Sequence, residues 1–556
     1  MNPNLDPTQS HYRGFLERWS TGCRAPRNHS VLACQMKALP AAITAGLALG
    51  FMGVGIWSCS RPMQGPPAEP KSRVAVRFLI TGDIAGTLEP CGCVKDQLGG
   101  LDRFATAVAD ARRASPRAPL LEVGSVFFPR ASVEPAERDE LVMRAETLAK
   151  SLRDLGLHAF APGAADGALG EATFEKLTRD ANLPVLRRSA RVEKVENVSV
   201  GYFALQAQST SPSPGTEELE TQLKAASQDL TQQQAQLKVA FVDAPVGSVA
   251  RAVRSAPGFQ LVIVGGSSAG LGADSDGTEP QLIDSTLIVN PPNHLRGLVT
   301  IDFVIKGNSF KFADASGVGR EEARMELGQR VVELAERVKT WKKEHKDPAS
   351  IATREADLKR LREKLAELSR PIAEPEGSYF TFHKQPIGNN LERNPDMQRA
   401  LEELGRRINL FNRDKFAGRK APPPVDSEPT YIGVAACEKC HKEAVAFWRT
   451  TRHSHAYRTL VDKDRQYTLE CVGCHVTGFE QPGGSSVTDV ELLKDVQCEN
   501  CHGPGSAHAK ANTNAFIKPS PDRQLCATRC HHSPHEDANW SVNAAWPKII
   551  GAGHGE

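Results

Sequence analysis

The chain has 556 residues, more than one hydrophobic core normally organises, so we expect about two to four domains. Its 68 basic and 66 acidic residues nearly cancel, which excludes the strongly basic surface of a nucleic-acid-binding protein. The cysteines and histidines are uneven: eight of the 13 cysteines and ten of the 16 histidines follow residue 430. This enrichment places the distinctive chemistry in the last quarter of the chain.

The N-terminal segment indicates export. Residues 1–35 are polar, and we expect them to be disordered or untranslated sequence upstream of a start at Met36. In residues 36–59 a lysine, a long apolar run and a small residue before Cys59 make a lipoprotein signal peptide. The alternative is an uncleaved transmembrane anchor, because a run of about 20 apolar residues can span a bilayer. Either reading exports the chain, and a lipid on Cys59 would hold it on a membrane, facing the periplasm.

A proline-rich linker at 60–72 leads to residues 73–317, where apolar runs alternate with helical patterns. The strand-like runs are Val74–Ile80, Leu120–Val123, Val198–Leu205, Lys238–Val242, Leu261–Val264 and Leu298–Val304, and the helical stretches are Leu101–Ala114, Glu137–Leu155, Glu217–Leu237 and Val246–Ser255. Glycine-bounded apolar runs followed by helices predict a layered α/β fold.

Residues 320–370 differ in pattern. After Pro348, leucine or isoleucine recurs every seven residues at Ile351, Leu358 and Leu365. This spacing predicts a helical hairpin of the coiled-coil type, which would act as a spacer, a stalk or the seam of a homo-oligomer.

The hairpin is followed by a mixed segment, residues 371–420, with a strand-like run at Tyr379–His383. Residues 421–429 form a second proline-rich linker, which marks a domain boundary. We assign residues 430–540 to a mainly helical domain and residues 541–556 to a tail. The chain is therefore expected to be multidomain, with α/β, hairpin and mainly α parts.

Three C-x-x-C-H motifs lie in the 430–540 domain. In such a motif two thiols add to the vinyl groups of one haem, and the adjacent histidine binds the iron. A fourth candidate has one extra residue between its cysteines, so we expect three haems c and, if that spacing is accepted, a fourth. The cysteine pairs are Cys437 and Cys440, Cys471 and Cys474, Cys498 and Cys501, and the wider Cys526 and Cys530, followed by His441, His475, His502 and His531.

Paired cysteines also occur in zinc sites and in the disulfides of exported proteins. Zinc ribbons place their pairs about 15–20 residues apart and need no following histidine. Here residues 441–470 separate the first two pairs, and a histidine follows every pair, which favours haem.

Each iron can take a second axial ligand. We favour His453, His508 and His535 as these ligands, with His455 close behind. A second histidine makes a six-coordinate iron suited to electron transfer, whereas a missing ligand leaves a position where a small molecule can bind.

The sequence around the motifs has a family resemblance. The residues that carry it are Tyr431–Cys437, Phe447–Trp448, Arg452–His455, Cys471–Gly478 and Val496–Gly505. They resemble the tetrahaem cytochrome family that accepts electrons from hydroxylamine oxidoreductase. The resemblance implies closely packed haems, several of them bis-histidine, and allows one with an open face. The fourth motif departs from the family's standard spacing, and hydroxylamine itself is not implied.

A second resemblance concerns the α/β part. It rests on Phe78–Asp83, Gly99–Phe104 and Leu120–Phe127, which resemble the metallophosphoesterase/nucleotidase family. That family holds two metals at strand ends, but here no histidine follows Asp83, Ser125 replaces an aspartate, and Gly265–Ala269 lacks both histidines. Two metals need several carboxylate and imidazole ligands, so we expect a scaffold or docking domain without phosphoesterase activity.

Cys91 and Cys93 are the only cysteines of the expected mature chain left without a role. A C-x-C pair can form a strained disulfide, a metal site or a redox-active thiol pair.

We expect an electron carrier rather than an enzyme: a lipid-anchored, multihaem c-type cytochrome that passes electrons between periplasmic or membrane redox proteins. One alternative is a reductase of a small nitrogen or sulfur oxide at an open haem. Another is a thiol-redox module at Cys91 and Cys93.

Overall fold

The computed structural model describes residues 76–90, 98–187, 190–205, 215–266, 274–318, 320–344, 347–531 and 540–554. The predicted signal peptide with Cys59, the pair Cys91 and Cys93, and His535 lie outside the described residues. Within those ranges, no helix combines the length and the apolar character that crossing a bilayer would require.

The strands of the described ranges form two six-stranded sheets. In chain order they are β1 (Val76–Gly82), β2 (Leu120–Gly124), β3 (Leu157–Pro162), β4 (Arg191–Val195), β5 (Val198–Leu205), β6 (Leu237–Asp243), β7 (Leu261–Gly265), β8 (Gln281–Ile283), β9 (Thr286–Val289), β10 (Gly297–Val304), β11 (Ala313–Asp314) and β12 (Tyr379–Pro386). The first sheet runs β11-β12-β10-β1-β2-β3 and the second β4-β5-β6-β7-β9-β8. Strands β1 to β3 are parallel, and β10 is antiparallel to both β1 and β12.

Before residue 430, the described part of the chain has helices on the outer faces of both sheets and one further pair of helices. In chain order they are α1 (Leu101–Ala114), α2 (Arg138–Asp154), α3 (Glu171–Asp180), α4 (Thr216–Gln232), α5 (Val246–Ser255), α6 (Arg320–Lys343), α7 (Pro348–Leu368) and α8 (Pro395–Lys415). Helices α1, α2, α3 and α8 pack on the first sheet, and α4 and α5 pack on the second. The two sheets, together with α1 to α5 and α8, are called the α/β body below. The layered α/β fold expected from the sequence is confirmed.

The two sheets face each other across a core of large apolar side chains. Phe78 and Ile80 of β1 point into this core with Tyr202 and Phe241 of the second sheet, whereas Leu79 points to the helices. Because successive strand side chains face opposite sides, a strand buried on both faces reads as a continuous apolar run. The apolar runs of β1, β6 and β7 therefore predict these strands from the sequence alone.

Helices α6 and α7 form an antiparallel pair. Near the connecting loop Lys342 is ion-paired with Glu355 at 2.6 Å, and at the other end Arg320 donates to the carbonyls of Glu367 and Arg370. The chain then returns as β12 beside β10, so the α/β body continues past residue 317, where the sequence indicated its end. Coiled-coil supercoiling and a role in oligomerisation stay predictions.

Residues 430–554, called the C-terminal region below, contain only short helices in their described part. They are α9 (Val434–Cys437), α10 (Lys442–Trp448), α11 (Ala456–Val461), α12 (Leu469–His475), α13 (Glu499–His502), α14 (Ser506–Ala511), α15 (Leu525–Arg529) and α16 (Val542–Ala545). The mainly helical character expected here is confirmed. Its buried apolar cluster consists of Tyr457, Val472, Val476 and Val490, with Phe479 packed against it.

We expect Phe241→Ala to lower the free energy of unfolding by about 3–5 kcal/mol, because it opens a cavity between the sheets. Phe241 is fully buried and lies 6.4 Å from the ring of Tyr202. The measurement is urea unfolding followed by circular dichroism. Leu410→Ala on α8 is the control: Leu410 is 52% exposed, so its loss should change stability by less than about 0.5 kcal/mol. Equal losses for the two variants would contradict the layered core.

Candidate haem centres

The cysteine motifs adopt one turn of helix, which brings each histidine back over its first cysteine. The amide of His441 donates to the carbonyl of Cys437 at 2.9 Å, and that of His502 donates to Cys498 at 2.9 Å. In the wider fourth motif the amide of His531 still reaches the carbonyl of Cys526, at 2.8 Å. A wider, π-type turn therefore absorbs the extra residue and restores the relation between first cysteine and histidine.

Backbone carbonyls hold the imidazoles through their Nδ1 atoms. Nδ1 of His475 lies 2.6 Å from the carbonyl of Ala456, and Nδ1 of His502 lies 2.6 Å from that of Lys518. A carbonyl only accepts, so each Nδ1 carries the proton. This tautomer offers Nε2 as the metal ligand and fixes the plane of the ring.

Two pairs of imidazoles have the separation of axial ligands on a shared iron. The ring centres of His441 and His508 are 6.1 Å apart, and those of His453 and His531 are 6.4 Å apart. A metal bond of about 2 Å on each side, with about 1.1 Å from nitrogen to ring centre, gives about 6 Å. The side chains present therefore fit bis-histidine haem at the first and fourth motifs.

His455 and His453 lie in the same turn but differ in their exposure to solvent. His455 ends a short 3₁₀ helix, Arg452–His455, and its exposed ring lies near Asp495. His453, in the same turn, is largely buried, and burial lowers its pKa, with the charge of His531 adding to the effect. The neutral form of His453, which can bind iron, is thereby favoured.

The motifs approach one another in pairs. The thiols of Cys437 and Cys498 are within hydrogen-bonding reach, as are those of Cys474 and Cys530. Burial raises the pKa of Cys471 to about 12 and that of Cys501 to about 11. The first motif therefore packs against the third, and the second against the fourth.

Buried polar side chains that the sequence did not single out tie these motifs together. Glu499, inside the third motif, accepts from the amides of Gly433 at 2.8 Å and Gly505 at 2.7 Å. Gln497 accepts from the amide of Val434 at 2.6 Å. From the sequence alone, a glutamate between the two cysteines of a motif is expected to be exposed to solvent, and only the fold shows that it is 2% exposed.

The strand ends of the α/β body bring together the degenerate metal signatures. Asp83 accepts from the amides of Ser125 at 3.0 Å and Gly266 at 2.9 Å, so its carboxylate joins both sheets. Gly124 has φ of +97°, and a Cβ there would lie 2.1 Å from the Asp83 carboxylate. Only glycine is tolerated at this approach. Among the described residues, no group of three or more His, Cys, Asp or Glu side chains is arranged to hold a metal ion.

Further carboxylates are buried at the same edge. Asp166 accepts from the amides of Val126 at 2.9 Å and Phe127 at 2.7 Å. Burial raises the pKa of Asp166 to about 7, against the effect of these bonds, and burial beside Asp83 raises the pKa of Glu122 well above its usual range. Burial at this edge therefore favours the protonated, neutral forms of both carboxyl groups.

His294 was also missed by the sequence analysis. Its Nδ1 lies 2.8 Å from the carboxylate of Asp274, which Arg296 binds at 2.8 Å, and its amide donates to the carbonyl of Asp83 at 3.1 Å. A positive φ at both His294 and Leu295 marks the turn, but no motif announced it in the sequence.

Comparison with known proteins agrees with the geometry of the motifs. Residues 436–503 match the family model described as "Cytochrome c554 and c-prime". The C-terminal region is cytochrome c554-like, as the resemblance implied. Cytochrome c-554 of Nitrosomonas europaea is 35% identical over 95 residues, which are 14% of this chain and 40% of that protein. The chain thus spans less than half of the length of that relative.

Solved structures similar in fold are nucleotidases and related hydrolases. A 5'-nucleotidase precursor of Thermus thermophilus has a TM-score of 0.40 at 12% identity, covering 63% of this chain and 61% of that chain. A sulfate thiohydrolase of the same organism has a TM-score of 0.40 at 11% identity, covering 67% of this chain and 68% of that chain. Similarity at this low level does not show that this chain shares the activity of those proteins.

We expect the stability conferred by Asp166 to depend on pH. Its pKa is raised from 3.8 to about 7, so between these values the folded state binds more protons than the unfolded state, and stability falls as pH rises. The stability lost in Asp166→Asn should therefore be larger at pH 5 than at pH 8, by on the order of 2 kcal/mol. The measurement is urea unfolding of both proteins at the two pH values.

Asp180→Asn is the control. Asp180 is exposed, and its ion pair with Lys176 lowers its pKa, so any pH dependence should be small and of opposite sign. A pH-independent effect of Asp166→Asn would show that the carboxyl is not protonated in the folded state.

Proposed function

We propose that this chain is a lipid-anchored, four-haem c-type cytochrome that relays electrons on the periplasmic side of a membrane. The observation that carries the proposal is the pair of imidazole separations, 6.1 and 6.4 Å, at two cysteine motifs of a cytochrome c554-like segment. Electron carriers bind iron with two strong axial ligands, and this spacing is what two histidines on one iron produce.

Each haem would be held by one cysteine pair and the histidine that follows it, with His508 and His453 as second ligands at the first and fourth motifs. The groups supply reversible one-electron chemistry when bound. The chain contributes orientation: carbonyls fix the imidazole planes, and Glu499 and Gln497 fix the first motif against the third. The approach of the motifs in pairs supports short electron-transfer distances.

The fourth haem is included because of the turn at Cys526–His531. The amide of His531 reaches the first cysteine's carbonyl despite the extra residue, and Trp540 stacks on the His531 ring at 4.8 Å and 8°. The reductase and thiol-redox alternatives stay predictions. Electron partners among periplasmic or membrane redox proteins are likewise part of the proposal.

The haem content of the purified mature protein, measured by pyridine haemochrome absorbance per chain, should be four. The variant Cys526→Ser/Cys530→Ser should give three, because its other motifs are complete. Three haems in both proteins would show that the wide motif is vacant. No haem in protein from cells able to attach haem would overturn the proposed function.

Membrane attachment should depend on Cys59, since a thioether-linked lipid is the proposed anchor. We expect Cys59→Ser to abolish metabolic labelling with a radioactive fatty acid. A wild-type protein that is never labelled but sediments with membranes would instead indicate an uncleaved transmembrane anchor, and a Cys59→Ser variant that keeps its label would show that the lipid is attached elsewhere. Ser58→Ala, next to the cysteine, is a matched control that keeps a small residue at this position and leaves the thiol in place.

A further inference from the structure

The second haem motif is held by the α/β body rather than by the C-terminal region alone. Glu140 on α2 is 4% exposed, and its Oε2 accepts from the amide of Leu469 at 3.1 Å. Leu469 is the first residue of α12, which carries Cys471, Cys474 and His475. A side chain more than 300 residues away thus satisfies an orphan donor of the haem-attachment helix.

Helix α8 completes this contact. Asn412 donates through Nδ2 to Glu140 at 2.7 Å and to the carbonyl of Tyr467 at 2.9 Å. The amide of Tyr467 donates in turn to Asn409 at 3.0 Å. Both asparagines are buried, so the network is shielded from water and holds the chain ahead of α12 in one position.

Arg144 supplies a positive charge to this contact. One turn beyond Glu140 on α2, its side chain is 13% exposed, and its Nη1 donates to Glu470 at 2.9 Å. The thiol of Cys471 is close enough to interact with it electrostatically, as are Glu140 and Glu89. A second cation, Arg465, is ion-paired with Glu89 of the α/β body.

Within the proposed function, we infer that the α/β body positions the second haem and that Arg144 raises its reduction potential. Reduction adds one electron to the iron, so a nearby guanidinium stabilises the reduced form. The effect is strong for a cation shielded from water and weak for an exposed one. Arg144 is a positioning residue in this scheme, because it acts on the haem site through Glu470 and through its charge.

The test is a potentiometric titration of the full haem-loaded protein, followed by absorbance. For Arg144→Met the second haem should have about threefold to tenfold less reduced form at a given potential, where tenfold corresponds to 59 mV for one electron. The signal of the second haem is identified by comparison with the Cys471→Ser/Cys474→Ser variant, in whose titration this signal should be missing. Arg407→Met is the matched control, because Arg407 of α8 is hydrogen-bonded to Glu146 of α2 at 3.0 Å and neither residue lies in a cysteine motif.

Glu470→Gln keeps the inference testable if Arg144→Met fails to fold. Glu470 is 49% exposed, and its replacement leaves Arg144 without that counter-charge, so the potential of the second haem should rise. Opposite shifts for the two variants, with none for Arg407→Met, are the expected result. Four haems with unchanged potentials, or shifts of the same sign in both variants, would overturn the inference and leave the proposed function intact. Loss of haem from the wild type would overturn the proposed function itself.

Discussion

The described part of the C-terminal region buries few apolar side chains from which to build a core. Eight are buried, and four of these form one cluster, whereas ordering each residue of a chain costs on the order of 1–2 kcal/mol of conformational entropy. Its order therefore depends in part on its contacts with the α/β body. The haem groups would supply apolar surface from within, and Glu140, Asn409 and Asn412 supply a rigid wall from outside. The α/β body therefore contributes to the packing of the C-terminal region.

Buried carboxylates accept hydrogen bonds from backbone amides both around the cysteine motifs and at the strand ends of the α/β body. Glu140 and Glu499 accept from backbone amides around the cysteine motifs, and Asp83 and Asp166 accept from amides at the strand ends. Backbone amides left unbonded in the interior are costly, so an acceptor at a fixed point can define a chain path. At the strand ends both carboxylate oxygens of Asp83 and both of Asp166 accept such hydrogen bonds.

Much of the fold followed from local sequence. Strands buried on both faces, such as β6 and β7, and the helix Leu101–Ala114 were predicted within a few residues. Strand β3 and helix α3 were not, because Leu157–Pro162 is short and carries a histidine, and Glu171–Asp180 has few apolar positions. The place of β12 beside β10 could not be found, since it depends on pairing across the whole hairpin.

The candidate site likewise has residues that the sequence predicts and residues that it does not. Cysteine motifs are local and were complete in the sequence, whereas the approach of His508 to His441 and of His531 to His453 is long-range. The residues that were missed, Glu140, Arg144 and Glu499, look like ordinary surface charges until their burial is known. Periodicity reports which face of a helix is buried, but it does not report which partner covers a charged position on that face.

The arrangement of the first sheet also sets an order of events for a chain that emerges from its N-terminus. Strand β1 begins at Val76, but its neighbour β10 stays uncovered on one side until Tyr379–Pro386 arrives. Such distant pairing is slow, because a long loop must close first. Helix α8 follows directly, and the first cysteine of the C-x-x-C-H motifs comes only after it. Glu140, Asn409 and Asn412, which contact the second motif or the residues just before it, therefore all precede the cysteines in the chain, so the surface that would receive this motif is synthesised before any of the proposed attachment sites.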